Sequence, residues 1–460
     1  MDWKLARIVE LEAALAQRDE LIAALQQRLV EVERRLNQDS GNSSKPPSTD
    51  APWKRKRSKG GQGGKPGAKP GHQGKHRKPF DPGRVDEIVP VWPMSCKRCN
   101  NVLPHVGVSI TTHQVAEVPP VAVRVTEYQL QRVCCPACAH VTLADLPAGV
   151  TASAFGPRLH ALVATLTAQL RGSRRNVADI LTSVFALPVS IGGVDAMLER
   201  VGDALNEPYQ SLCQAVAGAD HVNADETGWK IKGERRHMWG AFTAQIAVMM
   251  IDPNRNHEAA TRLLGDHQGV VSSDRHGAYR IFGKRQICWP HVDRNLSGLA
   301  EYPEPTRSVA FALKACIDDG FEAWHAFRDE HQDRRRLRRE MKPIHKRMQK
   351  IIEVAAGQRR DRRSMRFCRL LAKDFEYMWT FVEIEGVEPT NNHAERGLRG
   401  AVISRKLSGG SQSERGARTT ERLLSVAQTC RQQNRSLFEY LAEVMTNTAR
   451  GDPPPSLIPT

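Results

Sequence analysis

The chain has 460 residues, a formal net charge of +16 and 40% hydrophobic side chains. That length calls for several cores rather than one, and no apolar run approaches the ~20 residues with which a helix crosses a bilayer. A charged N-terminus with no apolar core or small-residue cleavage site argues against export, so a cytoplasmic, nucleoid-associated protein is expected, and the positive balance suits a polyanionic partner.

Residues 1–38 read as one helix. Apolar side chains at Ile8, Leu11, Leu15, Ile22, Leu25, Leu29, Val32 and Leu36 fall at alternating steps of three and four, with Arg18 the one break. So narrow a seam, flanked by charge, is that of a coiled coil, and it predicts a homodimer or higher oligomer through this helix. Residues 39–80 are rich in Gly, Pro, Ser and Lys, and between residues 53 and 78 ten Lys or Arg stand without an acid. Such a stretch is a flexible basic arm able to lie along phosphates, beginning with Lys54, Arg55, Lys56 and Arg57.

Five of the ten cysteines fall within residues 96–138. Cys96-x-x-Cys99 and Cys135-x-x-Cys138 supply two thiolate knuckles for one structural Zn²⁺, a tetrahedral site with no open position. Cys134 adjoins the second pair but breaks its spacing. The alternation over 121–130 predicts a strand between the knuckles, making 81–150 a zinc ribbon-like region. Residues 151–215 read as helical, and 173–201 has the outline of a helix-turn-helix. One helix ends near Leu187, Pro188 lies in the turn, and Ser190 caps the next helix.

From residue 216 the pattern changes to strands. HVNADET, HMWGAFTA and IAVMMID give three short strands within 221–252, a helix follows at 257–264, and the apolar strand GVVSSD ends at Asp274. This β-β-β-α-β order opens a ribonuclease H-like fold, whose first and fourth strands lie side by side. Residues 216–299 are therefore expected to form the first part of an α/β catalytic core. Residues 300–385 read as a helical insertion, with 15 Lys or Arg against three acids over 334–369. Residues 386–450 return to the core through a helix capped by Thr390 or Asn391, with Leu398 and Val402 on its inner face. That helix also carries Arg396, Arg399, Arg405 and Lys406, cations suited to positioning phosphates. A closing helical pair over 420–445 follows, then a loose tail at 451–460. The expected fold class is multidomain α+β.

Three acids stand in polar blocks far apart: Asp225 in NADETGW, Asp274 in SDRHGAY and Glu395 in PTNNHAERGLRGAVISRK. A few carboxylates and a substrate phosphate complete the shells of two Mg²⁺ ions. One ion activates the attacking water or 3′-hydroxyl, and the other stabilises the leaving oxygen. Clustered carboxylates repel one another without a cation. The first block offers both Asp225 and Glu226, and strand alternation lets one of them face the site without saying which.

These blocks, together with CWPHVDRNL, resemble the signature blocks of insertion sequence 66 family transposases. The resemblance spans nearly the whole chain, since helix, basic arm, cysteine knuckles and helical segment follow that family's order. It implies a DDE mechanism: cleavage at element ends, then transfer of the 3′-hydroxyl into target DNA. Carried over by position, the triad is Asp225, Asp274 and Glu395, which selects Asp225 over Glu226. The implied partners are the element's terminal repeats and target DNA, with companion proteins of the same element as further partners to consider. The family usually has Cys-Trp-Ala-His followed by paired arginines. Here Cys288, Trp289, Pro290 and His291 precede Val292, Asp293 and Arg294, so one arginine position holds an acid while His291 and Arg294 remain phosphate candidates. Competing functions are a non-catalytic zinc-containing DNA-binding regulator, a nuclease or resolvase that does not join ends, and a zinc-dependent scaffold. The first of these leaves the three acid blocks unexplained.

Overall fold

Among the described residues, the seam side chains of the first helix have no neighbour to pack on within one chain. In the computed structural model, which describes residues 3–39, 79–107, 109–329 and 333–459, that helix is α1 (Trp3–Asn37). Ile8, Leu11, Leu15, Ile22, Leu25, Leu29, Val32 and Leu36 are all exposed along it. The arm cations Lys54, Arg55, Lys56 and Arg57 lie outside the described residues.

The cysteine region departs from expectation. Residues 121–130 form no strand, and Val121, Val123, Val125, Tyr128 and Leu130 are exposed. Alternation promises a face but not a partner, and among the described residues no segment pairs with this one. The ladder forms later, between β1 (Arg132–Cys134) and β2 (Val141–Leu143), which close antiparallel around the second knuckle.

Four helices follow: α2 (Pro157–Ala168), α3 (Arg174–Phe185), α4 (Ile191–Ala204) and α5 (Asn206–Ala217). Helix α3 ends two residues before the expected Leu187, because Ala186 turns left-handed at φ 50° and the Leu187 amide bonds back to Leu181. Ser190 caps α4, accepting from the Gly193 amide at 3.0 Å. The helix-turn-helix outline is therefore present. However, α4 buries Val194, Met197, Leu198 and Val201 and turns Asp195, Glu199 and Asp203 outward, with Asp195 paired to Arg174 and Glu199 to Arg415. An acidic outer face does not suit a helix that enters a groove of phosphates.

The central sheet has the order β5-β4-β3-β6-β7. β3 (His221–Ile231), β4 (Glu234–Phe242) and β5 (Ala247–Asp252) form an antiparallel meander, its first turn made by Lys232 and Gly233, both at positive φ. That is the turn chemistry whose twist matches a two-residue hairpin. Helix α6 (His257–Leu264) then crosses over to β6 (Val270–Ser273), which pairs parallel with β3, and β7 (Arg285–Ile287) extends the parallel side. β5 is an edge strand whose free amides invite pairing with other chains. Here α13 (Glu414–Gln432) covers them: Glu421, Ser425 and Thr429, four residues apart, accept from the amides of Ile251, Met249 and Ala247 at 2.5, 2.8 and 3.0 Å. The match is geometric, because four helical residues and two strand residues both advance about 6–7 Å.

One face of the sheet, with Val222, Ala224, Trp239 and Val248, joins the core built from α2, α4, α5, α6, α13 and α14 (Leu437–Arg450). The other, with Trp229, Ile231, Met238 and Phe242, receives α12 (Asn392–Ser408) through Ala394, Leu398 and Ala401, while Val402 is only half-buried. This contact is unusually close. A Cβ on Gly397 would stand 2.3 Å from the Phe242 ring, and one on Gly240 would stand 2.6 Å from it.

Between α7 (Trp289–Leu299) and α12 lies the helical insertion, with α8 (Thr306–Asp329), α9 (Arg334–Gly357), α10 (Arg362–Ala372) and the short α11 (Thr380–Glu383). It has its own core, in which Trp289 is ringed by Phe321, Trp379 and Phe381 at 5.1–5.7 Å between ring centres. The arginine-rich α9 is amphipathic: Leu337, Met341, Ile344, Met348 and Ile352 face inward and the cations face solvent.

The tail is not loose. Leu457 is buried, and carbonyls of Pro453, Pro455, Ser456 and Leu457 accept from Asn447, Tyr440, Arg435 and Gln433 at 2.7–3.1 Å. Prolines remove amide donors but leave carbonyls, and side chains of α13, α14 and the turn between them fill those acceptors. Among the described residues no helix is long and apolar enough to cross a membrane.

The tight α12 contact gives the first prediction. Gly397→Ala should destabilise the fold by about 1–3 kcal/mol through overpacking against Phe242, seen as an earlier midpoint in denaturant. An unchanged midpoint would mean that α12 is not held this close.

Candidate active site

Parallel pairing of β3 with β6 sets His221 opposite Val270, Val222 opposite Val271 and Asn223 opposite Ser272. The offset is constant, so the register continued two residues beyond the ladder places Asp225 level with Asp274. Neighbouring strands lie about 4.8 Å apart, and two acids 49 positions apart in sequence thereby become neighbours. Asp225 Oδ1 accepts from the Glu226 amide at 2.9 Å, and Asp274 Oδ1 accepts from the His276 amide at 2.7 Å.

Alternation along β3 separates the two acids that the local sequence left equivalent. Asn223, Asp225 and Thr227 share the face that meets α12: Asn223 bonds Asn391 at 3.0 Å and Thr227 accepts from Arg405 at 3.1 Å. Glu226 points the other way. Its carboxylate, about 1% exposed, accepts from Arg255 at 2.5 and 2.8 Å and from the Tyr279 hydroxyl at 2.6 Å.

Glu395 comes from the first turn of α12. Asn391 stands at the cap position but makes no capping bond. Instead its Nδ2 donates to the Ala224 carbonyl at 2.8 Å and its amide donates to the Cys288 sulfur at 3.3 Å. The Trp289 amide bonds the Pro389 carbonyl at 2.9 Å, and the Cys288 amide bonds that of Ser273 at 2.9 Å. The start of α12 is thus stitched to β3, to the end of β6 and to the start of α7. Sequence reading offered Thr390 or Asn391 as the cap and missed this role; the polar Asn223, two residues before Asp225 in a strand, was the available signal.

The charges respond to one another. Burial pushes the Asp225 carboxyl well above the carboxylate range, and the charges of Glu226, Asp274 and Glu395 push it further. Glu395 is 42% exposed and lies 3.7 Å from His291 Nε2. Burial, then Arg294, holds that imidazole below its ordinary value, outweighing the pull of Glu395, so His291 is neutral at pH 7 and this contact is no ion pair. Cys288 is buried, which raises its thiol to about 12 and keeps it protonated, a poor metal ligand. Asp293, at the position where the family pattern has an arginine, pairs with Lys314.

Of the remaining cations, Arg396, Arg399 and Lys406 are exposed on α12, while Arg294 is half-buried. Arg405 differs from expectation: its guanidinium is engaged with Thr227 and the Gly228 carbonyl, bracing α12 on β3. Arg275, next to Asp274, lies 3.9 Å from the buried Asp374, which also pairs with Arg280 at 2.9 Å and Arg285 at 3.3 Å. Sequence reading missed this anchor because four distant residues build it.

The cysteine pairs form two matching knuckles. In the first, the Cys96 amide bonds Asn101 and the Asn100 amide bonds Cys96, both at 2.9 Å, with Asn100 at φ 63°. In the second, Cys135 bonds His140 and Ala139 bonds Cys135, both at 2.8 Å, with Ala139 at φ 55°. Backbone amides aimed at Cys96 and Cys135 lower both thiols. Among the described residues, however, no three or more His, Cys, Asp or Glu side chains stand close enough to hold a metal ion. The knuckles stay separate pairs, and the three acids lie within electrostatic reach without forming a closed ligand set.

Residues 152–419, more than half of the chain, match the family model described as Transposase IS66 family. Residues 4–78 match a family of unknown function, DUF6444. Two curated relatives, both from Sinorhizobium fredii (strain NBRC 101917 / NGR234), are uncharacterized proteins. Protein y4qI is 22% identical over 47% of this chain and 42% of its own length. Protein y4jO is 26% identical over 39% of this chain and 53% of its own. The chain thus spans about half the length of these relatives.

The crowding of acids has a testable sign. Because the folded state holds the Asp225 proton more tightly than the unfolded chain does, the associated stability is present below the ordinary carboxylate range. It is lost as pH rises toward the elevated native value. Asp225→Asn should therefore melt higher than wild type at pH 7 without divalent cations, about 2–4 °C for each kcal/mol gained. The advantage should vanish near pH 4. A variant melting at or below wild type at pH 7 would show that no such repulsion exists.

Proposed function

The chain belongs to the IS66 family of transposases, and from that premise we propose that it binds the ends of an insertion sequence and catalyses metal-dependent DNA cleavage and strand transfer. The observation that carries this reading is the approach of Asp225, Asp274 and Glu395, from three distant segments, to within electrostatic reach of one another at the end of the β3–β6 ladder. The strand order, with an antiparallel meander followed by parallel strands on the far side of β3, supports a ribonuclease H-like core.

The donor set fits hard divalent cations. All three groups offer carboxylate oxygens, and the burial and mutual repulsion that raise Asp225 would be offset by a cation between them. In this reading Asp225, Asp274 and Glu395 hold two Mg²⁺ ions, which when bound supply charge at the phosphate and acidify the attacking hydroxyl. The chain's own side chains position the reactants. Arg396 and Arg399 stand exposed beside Glu395 and take phosphate oxygens. The Asn223–Asn391 bond and the Arg405 brace fix α12, and Glu226, held by Arg255 and Tyr279, stays out of the ligand set. Neutral His291 leaves the charge of Glu395 uncompensated and open to a cation.

The outer regions serve DNA capture. α1 pairs with a second copy through its exposed seam, giving the dimer that holds two ends. The basic arm lies along phosphates. Cys96, Cys99, Cys135 and Cys138 close around one structural Zn²⁺, for which the lowered thiols of Cys96 and Cys135 are prepared.

Two outcomes test this reading. With a labelled fragment bearing the element's own end, Mg²⁺-dependent cleavage and joining should fall at least about 10²–10³-fold in Asp225→Asn, Asp274→Asn and Glu395→Gln, with DNA binding retained. Full activity in any one of these would remove that acid from the site. Native mass spectrometry should find one zinc per chain, lost in the Cys135→Ser/Cys138→Ser variant. Zinc-free wild type would contradict the ribbon.

A further inference from the structure

A cleft of about 1090 Å³ opens between the start of α8 and α10, and none of the three acids lines it. Its walls are dominated by cations. Helix α10 buries Ser364 and Cys368 against the insertion core and turns Arg362, Arg363, Arg366, Arg369 and Lys373 to solvent.

Some cations elsewhere on the insertion are neutralised within the chain, as in Arg336–Glu340, Arg338–Glu383 and Arg347–Asp319, while Arg335, Arg339, Lys342, Lys346 and Lys350 of α9 form no ion pair among the described residues. The α10 face is set apart by the gathering of its cations along one cleft. Among the described residues, Arg360, Arg362, Arg366 and Lys373 form no ion pair. The two acids lining the cleft are already committed. Asp361 accepts from the Thr306 hydroxyl at 2.8 Å and the Ser364 amide at 3.2 Å, and Glu304 accepts from the Ser308 hydroxyl at 2.5 Å. Uncompensated cations on one face repel each other, a cost that an approaching polyanion removes.

The position of α10 indicates which polyanion. Asp374 follows Lys373 directly, and its buried carboxylate holds Arg280, Arg285 and, at 3.9 Å, Arg275, the residue after Asp274. The basic helix therefore ends where the insertion is anchored to the loop of the second acid. Its eleven residues rise about 16 Å, the axial length over which one strand of a DNA duplex presents about five phosphates.

We propose that the outer face of α10 and its cleft form a track for the backbone of duplex DNA, leading toward Asp274. The assignment rests on the transposase reading above. The track touches phosphates and so reads no sequence.

The test is the salt dependence of binding by the full chain, to an element-end duplex and to a random-sequence duplex. In Arg362→Ala/Arg366→Ala/Lys373→Ala, affinity should fall by the same factor on both. The slope of log affinity against log salt should become shallower by up to about 2.7, or about 0.9 for each phosphate that is no longer neutralised. Arg362→Lys/Arg366→Lys should keep the wild-type slope. Should the triple variant melt early, Arg366→Gln alone is used, with an expected change of about 0.9. An unchanged slope in a folded variant overturns the proposal, as does weakening confined to a single-stranded RNA probe. The readout is binding, so α10-dependent binding without any cleavage would sink the catalytic reading and leave this one standing. Cleavage with an unchanged slope would do the reverse.

Discussion

Everything at the acid site depends on how closely α12 lies on the sheet. Glu395 arrives 121 positions after Asp274 in sequence, with a whole helical insertion between them. No local preference can bring it back to the right place. Tertiary packing does so: Gly397 lets the helix rest on Phe242, Gly240 clears the strand beneath, and Asn391 ties the helix start to β3 and to Cys288. A side chain larger than hydrogen at Gly397 would lift the helix and Glu395 with it. The placement of a carboxylate thus depends on the absence of a methyl group at Gly397.

The same close approach creates an electrostatic problem. Three carboxylates, with Glu226 behind them, gather at the end of the β3–β6 ladder, and burial together with their mutual repulsion raises Asp225. The fold gives Glu226 partners in Arg255 and Tyr279, although its charge still raises Asp225. It offers no equivalent partner to Asp225 among the described residues, and His291 stays neutral beside Glu395. The site therefore carries unfavourable energy of the kind that functional sites keep at a cost in stability, and in the proposed reading a cation relieves it. Asp374 extends this logic outward, since its three arginines lock the insertion to the Asp274 loop.

Legibility in the sequence followed the range of the interactions. Helix α6, the three meander strands and β6 were readable from periodicity, because local pattern dictates them. The parallel partnership of β3 and β6 was readable from element order, and with it the alignment of residues 49 apart. The strand expected at 121–130 failed because pairing is a property of two segments. The tail packed against α13 and α14 although its prolines suggested disorder, since its carbonyls met donors from distant helices. Asp195, Glu199 and Asp203 fall four residues apart, so the acidic face of α4 stood in the sequence and was open to reading. Which of Asp225 and Glu226 faces α12 was settled locally only once Asn223 and Thr227 had partners. Asn391 and Asp374 gave no local sign, since each acts through residues about 90–170 positions away.

The most direct test of the central claim is to locate the cation itself. Fe²⁺ substituted for Mg²⁺ generates hydroxyl radicals that cut the protein backbone beside the bound ion, and the fragments can be sized. The account predicts cuts near residues 225, 274 and 395 in the same preparation, all suppressed by excess Mg²⁺ and all lost in Glu395→Gln. Cuts at one of these segments alone, or a pattern indifferent to Glu395, would contradict a site built by docking α12 onto the sheet.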